Sequence, residues 1–157
     1  MEHLIEILIN KRLGRHCENK INNSLLYGDY YHMACVIENN KSEIIPLSYG
    51  MNVFCTNKSL HAECDAIKHL PPRKRSHKNK IINLVVIRTS INGKISISKP
   101  CVICMSYLCT MPQKKGYQIN KIFYSTENGE IVENTIDELK QNTTHFSKFY
   151  RQNYNNK

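Results

Sequence analysis

The stretch at residues 81–89 constrains the fold more than any other part of this sequence. It reads IINLVVIRT and is strongly apolar. A strand with this composition is buried on both faces, so other elements have to cover both sides of the sheet that contains it. The stretch therefore predicts a buried strand in a sheet that has helices on its faces.

Shorter patterns on either side predict strands that alternate with helices. The alternation of Met33, Cys35 and Ile37 with small or polar neighbours indicates a strand that forms a hairpin with residues 44–49. A loop is predicted from Gly50 to Ser59. Further helices are predicted at 2–14, 61–70, 101–110 and 135–151, and further strands at 95–97, 121–125 and 130–132. This order is typical of an α/β sheet with helices on its faces.

The length and the cysteine content narrow the class of protein. A chain of 157 residues suits a single domain, here residues 1–157, and the Asn-rich end at 152–157 is expected to fray. No stretch approaches the ~20 apolar residues that a membrane span needs, and the N-terminal stretch does not have the pattern of a signal peptide. Seven cysteines, an odd number, favour a reducing compartment, which we expect to be the cytoplasm.

The charge balance bears on partners more than on fold. Lys and Arg total 22 against 13 Asp and Glu, which gives a net charge of +9. Such a balance favours anionic partners such as nucleotides or nucleic acid, although simple solubility explains it equally well. The basic stretch at 71–80 is expected to be a solvated loop, with contact to phosphate as the alternative.

Two short motifs contain the residues with recognisable chemistry. An H-x-E occupies residues 61–63, and a P-C-x-x-C occupies residues 100–104. From the composition, the second motif should arise by chance only about 0.01 times in a chain like this one. Each motif lies at the predicted start of a helix. The presence of both motifs, in this order and at these positions, indicates a functional site.

The spacing of the two motifs predicts a metal site. Cys101 and Cys104 are three residues apart and share one face of a helix, where the helix dipole favours the thiolate that binds metal. His61 supplies a third ligand. Three protein ligands leave one tetrahedral position free, as in a catalytic zinc site. A structural site is the alternative, with Cys64 or Cys109 as the fourth ligand.

Glu63 decides between these alternatives. It lies two residues from His61, close to the metal but not needed as a ligand. A carboxylate beside a metal-activated water is suited to moving protons, which favours catalysis over an ordinary acid in the first turn of a helix.

The order H-x-E and then P-C-x-x-C resembles the cytidine and deoxycytidylate deaminase superfamily. The resemblance extends over about residues 33–132. It implies a three-layer α-β-α domain with a five-stranded mixed sheet and the motif helices on one face. It also implies one Zn²⁺ per chain on His61, Cys101 and Cys104, proton transfer by Glu63, and substrate contacts from the backbone N–H of Ala62 and from Asn52.

The substrate expected from this resemblance is a cytosine-type nucleoside or nucleotide, which would be deaminated with release of ammonia. A deaminase that acts on adenosine or cytidine in tRNA or another polynucleotide is an alternative. A non-catalytic zinc module that binds nucleic acid is an alternative of another class. Relatives commonly assemble, so a homo-oligomer is expected, with no membrane association.

Overall fold

A mixed sheet lies at the centre of the structure, which is a computed structural model. The structure describes residues 3–8, 10, 30–39, 44–55, 58–74, 78–90, 92–147 and 150–151. Along these residues the elements follow in the order α1 (residues 3–8), β1 (Tyr30–Glu38), β2 (Pro46–Met51), β3 (Val53–Cys55), β4 (Lys58–Leu60), α2 (Ala62–Lys68), β5 (Lys80–Ser90), β6 (Ile95–Ser96), α3 (Val102–Lys114), β7 (Tyr117–Ser125), β8 (Ile131–Thr135) and α4 (Ile136–Asn142).

The sheet has the strand order β2-β1-β5-β7-β8, and β6 also pairs with β5. Strands β5 and β7 are parallel, whereas all other pairs are antiparallel. The predicted hairpin of β1 with β2 and the predicted buried strand β5 are both confirmed. The sheet is mixed as predicted, but it has six strands rather than five, because the chain turns at Gly93 (φ 82°) and β6 folds back onto the end of β5.

Helices cover both faces of this sheet. Alternate residues of β1, such as Ala34 and Val36, pack with α2 and α3 in one buried cluster. The intervening residues, such as Cys35, pack on the opposite face with Leu4 and Leu8 of α1. Strand β5 contributes to both clusters, as its apolar composition predicts. The arrangement is consistent with a three-layer α/β fold.

Several boundaries differ from the sequence predictions. The predicted loop at 50–59 contains the short antiparallel pair β3 and β4, because three-residue strands are too short to show a periodicity. The predicted helix at 135–151 is interrupted after Asn142, where Thr143 adopts an extended conformation. Two consecutive β-branched threonines favour that conformation. Helix α3 begins at Val102, so Pro100 precedes the cap, and it extends to Lys114.

Some of the predictions fall partly or wholly outside the described residues. The predicted helix at 2–14 is seen at 3–8 and 10, and its remainder lies outside. The expected fraying of 152–157 also lies outside. No helix in the part of the chain that the structure describes has both the length and the apolar character needed to cross a membrane.

Candidate metal centre

Helix α2 begins directly after His61, its N-cap residue, which is one of the candidate metal ligands. The side chain of His61 makes no capping hydrogen bond, so it is free to face the site. The first-turn N–H of Ala62 is satisfied instead by Asn52, whose Oδ1 accepts it at 2.9 Å. Helix N-termini need such acceptors because their first N–H groups have no partner within the helix. Asn52 therefore replaces the cap that His61 does not provide.

Helix α2 is held against strand β2 by two hydrogen bonds and by a close backbone contact. Ser48 Oγ donates to the Ala66 carbonyl oxygen at 2.8 Å, and the Met51 N–H donates to Asp65 Oδ2 at 3.1 Å. Between these bonds, Gly50 lies so close to the helix that a Cβ there would be 2.2 Å from both Ala62 O and Ala66 N. The position of His61 is therefore set by the contact between α2 and β2.

A group of serines positions the segment that leads into α3. Ser98 Oγ donates to the Val86 carbonyl oxygen at 2.8 Å and accepts the Ser125 N–H at 2.8 Å. The Ser98 N–H donates to the Ser125 carbonyl oxygen at 2.9 Å. These bonds tie the segment to the ends of β5 and β7. Cys101 follows as the N-cap of α3, and Cys104 lies one turn further along the helix.

The two helix starts bring His61, Cys101 and Cys104 together. Nδ1 of His61 lies 3.1 Å from Cys104 Sγ and 3.6 Å from Cys101 Sγ, and all three ligand atoms lie within 4.8 Å of one another. A tetrahedral zinc ion with bonds of about 2.0–2.3 Å holds its ligand atoms about 3.5–3.8 Å apart. One imidazole and two thiols at these separations could hold one metal ion.

The protonation states of the two cysteines suit metal binding. A hydrogen bond from the Cys104 thiol is the main reason that the pKa of Cys101 falls to about 3, and His61 contributes in the same direction. The same bond raises the pKa of Cys104, since it stabilises the protonated thiol. Its hydrogen bond with Cys101 raises the pKa of His61. Cys101 is therefore a thiolate. A metal ion that bound here would displace the protons held by His61 and Cys104.

Glu63 is buried beside this cluster. Its side chain is 3% exposed, and burial raises the pKa of its carboxyl group. Its Oε2 atom has no hydrogen-bond partner among the described residues. A buried carboxylate oxygen without a protein partner is costly, so it indicates a position where another group binds. Glu63 therefore presents a buried carboxylate oxygen without a partner among the described residues beside the cluster.

The two predicted substrate-contacting groups hydrogen-bond to each other. The N–H of Ala62 is donated to Asn52 Oδ1, so in this structure that N–H is already occupied. The amide nitrogen of Asn52 takes no part in this hydrogen bond. Asn52 therefore has an evident structural role, and a substrate contact by either residue stays a prediction.

His32 lies near the cluster, although neither sequence motif includes it. His32 is half-buried on β1, and its carbonyl oxygen accepts the Asn52 N–H at 3.3 Å. Burial and the nearby charges of Arg88 and His61 lower the pKa of His32 to about 4. Arg88 is its register partner on β5. His32 and Arg88 lie an even number of residues along their strands from Ala34 and Leu84, which face α2 and α3. This two-residue alternation is the signal in the sequence that could have identified them.

The basic stretch lies far from the cluster. Its described residues pack at the opposite end of α3, where the Arg73 N–H donates to the Lys115 carbonyl oxygen at 3.1 Å. Helix α3 has 13 residues, so about 20 Å separates Lys115 from Cys101. Residues 75–77 lie outside the described residues. Phosphate contact by this stretch would therefore involve a different surface from the candidate metal centre.

Comparisons with known proteins do not assign the chain to a family. No protein-family model matches it, and no curated protein matches it either.

Proposed function

We propose that the protein is a zinc-dependent deaminase of a cytosine-type nucleoside or nucleotide. The observation that carries the proposal is the position of Glu63: a buried carboxylate with one oxygen unpartnered, two residues from His61 and beside a three-ligand cluster. The H-x-E and P-C-x-x-C motifs match those of the cytidine and deoxycytidylate deaminase superfamily.

The donor set fits zinc. One imidazole and two thiolates are ligands that zinc prefers, and three protein ligands leave a fourth position for water or substrate. When bound, zinc lowers the pKa of water in that position towards neutrality and so supplies a nucleophile. His61, Cys101 and Cys104 would hold the ion.

Glu63 performs the proton transfers in the proposed reaction. Its carboxylate accepts a proton from the nucleophilic water and delivers it to the ring nitrogen next to the amino-bearing carbon. The hydroxide that remains adds to the amino-bearing carbon, and the proton of the new hydroxyl group then passes through Glu63 to the amino group. The C–N bond breaks, ammonia leaves and a carbonyl forms. The raised pKa of Glu63 suits this role, because a group that both accepts and donates protons works best with a pKa near the working pH.

The alternative of a non-catalytic zinc module that binds nucleic acid does not explain the buried, unpartnered carboxylate oxygen of Glu63. A module that only binds nucleic acid needs the three ligands but has no use for a buried carboxylate oxygen without a partner. Such a group lowers stability, and a non-catalytic protein would gain by replacing it. The polynucleotide alternative shares the same chemistry and differs only in substrate.

The test is ammonia release from zinc-loaded protein. The panel contains cytidine, deoxycytidine, their monophosphates, adenosine, single-stranded DNA and tRNA. We expect turnover of a cytosine nucleoside or nucleotide, and a fall of about 10²–10⁴-fold in Glu63→Gln with unchanged zinc content. Glu133→Gln is the matched control, because Glu133 is an exposed acid on β8 paired with Lys121.

The outcomes separate the alternatives. Turnover only of tRNA or single-stranded DNA would replace the free-nucleotide proposal with a polynucleotide substrate. Zinc-loaded, folded protein that turns over no member of the panel would favour the binding module. Substantial activity in Glu63→Gln would remove the role given to Glu63.

A further inference from the structure

Cys64 lies against the candidate metal centre without belonging to its ligand set. It is the third residue of α2 and is 5% exposed. Its thiol donates a hydrogen bond to Cys104 Sγ, with 3.7 Å between the two sulfur atoms. Among the described residues, the group whose ligand atoms cluster within 4.8 Å contains His61, Cys101 and Cys104 but not Cys64.

Two pairs of residues with the same spacing face each other across the site. His61 and Cys64 are three residues apart at the start of α2, and Cys101 and Cys104 are three residues apart at the start of α3. Residues with this spacing share a helix face. Four potential ligands therefore point towards one region, but the fourth reaches only the sulfur of Cys104.

We infer that Cys64 is a positioning residue, whose thiol holds the Cys104 sulfur as a metal ligand by hydrogen bonding and does not itself bind the metal. The inference rests on the metal site of the proposed function. The bond links α2, which carries His61, to α3, which carries the two cysteine ligands. It therefore fixes one ligand relative to another that comes from a different helix.

The bond also affects the electronic character of the ligand. A metal-bound Cys104 is a thiolate and has only acceptor capacity, whereas the Cys64 S–H is a weak donor. Hydrogen bonds to ligand atoms orient them and tune the metal, and their loss typically lowers metal affinity about 10–100-fold. By withdrawing electron density from the Cys104 sulfur, Cys64 keeps the bound ion a stronger Lewis acid.

The surroundings of Cys64 favour a thiol that acts as a hydrogen-bond donor over a thiol that is chemically reactive. Cys64 is buried with Cys101 and Cys104, and Leu60 and Tyr107 pack against this group. Apolar neighbours exclude water, so the Cys64 thiol has no competing partner from solvent. The bond to Cys104 is the hydrogen bond that the structure gives it.

The test uses Co²⁺ in place of zinc on the purified full-length chain. Sulfur-to-cobalt charge-transfer bands report the number of thiolate ligands by intensity and their hydrogen bonding by energy. Cys64→Val removes the donor while roughly keeping the volume, and Cys64→Ser keeps a donor. Cys101→Ser calibrates the loss of one thiolate, and Cys109→Ser is the control, because Cys109 is half-buried on α3 outside the group.

We expect Cys64→Val to keep the charge-transfer intensity, shift the band to lower energy and bind Co²⁺ about 10-fold more weakly. Cys64→Ser should stay close to the unmodified chain in both properties. If Cys64→Val and Cys64→Ser both lose the intensity that Cys101→Ser loses, Cys64 is a ligand and the inference is wrong. If Cys64→Val matches the unmodified chain and Cys64→Ser does not, only packing matters and the inference is again wrong.

These readouts are separate from activity. If the unmodified chain does not bind Co²⁺, the metal site and the inference both fail. If it binds Co²⁺ with the expected spectra but deaminates nothing, the proposed function fails and the role of Cys64 stands.

Discussion

Asn52 Oδ1 accepts the backbone N–H of Ala62 at 2.9 Å, so a residue at the end of β2 caps the helix that begins with His61. The bond separates two functions that usually coincide at a helix start. His61 occupies the N-cap position but turns its side chain to the metal centre, and Asn52 supplies the missing acceptor. The geometry of the site thus depends on a residue nine positions upstream of the first motif.

Substitution of Asn52 distinguishes this structural role from the predicted substrate contact. Asn52→Ala should lower the free energy of unfolding by about 1 kcal/mol, the usual loss for a helix cap. Asn52→Asp keeps the acceptor and adds a charge that the helix N-terminus favours, so stability should be retained. Denaturant unfolding measures both. If Asn52 also contacts substrate through its amide nitrogen, Asn52→Asp should raise KM even though its stability is retained. A KM equal to that of the unmodified chain would remove that contact.

Gly50 permits the close approach of β2 to α2. In Gly50→Ala the new Cβ would lie 2.2 Å from Ala62 O and Ala66 N, both backbone atoms that cannot move without shifting the helix. We expect a loss of about 1–3 kcal/mol in the free energy of unfolding, together with weaker zinc binding as His61 shifts. Thermal unfolding and zinc titration measure the two effects. Ser106→Ala, on the exposed face of α3, is the control, and equal stability of the two variants would contradict this account of the contact.

Cys35 should make stability depend on pH in the alkaline range. Burial raises the pKa of its thiol from the ordinary 9.0 to about 12 in the folded protein. Because the folded pKa is raised, the associated stability is fully present below pH 9 and is lost as the pH rises towards 12. The difference in unfolding free energy between the unmodified chain and Cys35→Ala should be constant below pH 9 and should shrink above it. A difference that stays constant up to pH 12 would show that the thiol is not buried as described.

Charge reversal at the basic end should leave turnover of a small substrate unchanged. Lys74 and Lys114 are exposed at the end of α3 remote from the metal centre. A separation of about 20 Å exceeds the Debye length of about 8 Å at physiological ionic strength, so their charges are screened from the site. We therefore expect Lys74→Glu/Lys114→Glu to keep kcat/KM for a nucleoside monophosphate. A steep rise in KM for the monophosphate, but not for the nucleoside, would place the phosphate near these lysines.

The sequence was most informative where a pattern was long or chemically specific. The apolar composition of β5 predicted a buried strand, and the spacing of Cys101 and Cys104 predicted two ligands at a helix start. It was least informative for short elements. Strands β3 and β4 each have three residues and lie where the sequence predicted a loop.

The sequence by itself determined which residues have the chemistry of a metal site: one histidine, a neighbouring acid, and two cysteines at a spacing that shares a helix face. Only the tertiary structure decided which other groups complete it. His32 lies 29 positions before His61, and Cys64 meets Cys104 across 40 positions, so no local periodicity connects them. Strand register and the contact between α2 and α3 set these distances, because backbone pairing and core packing bring together residues that are remote along the chain.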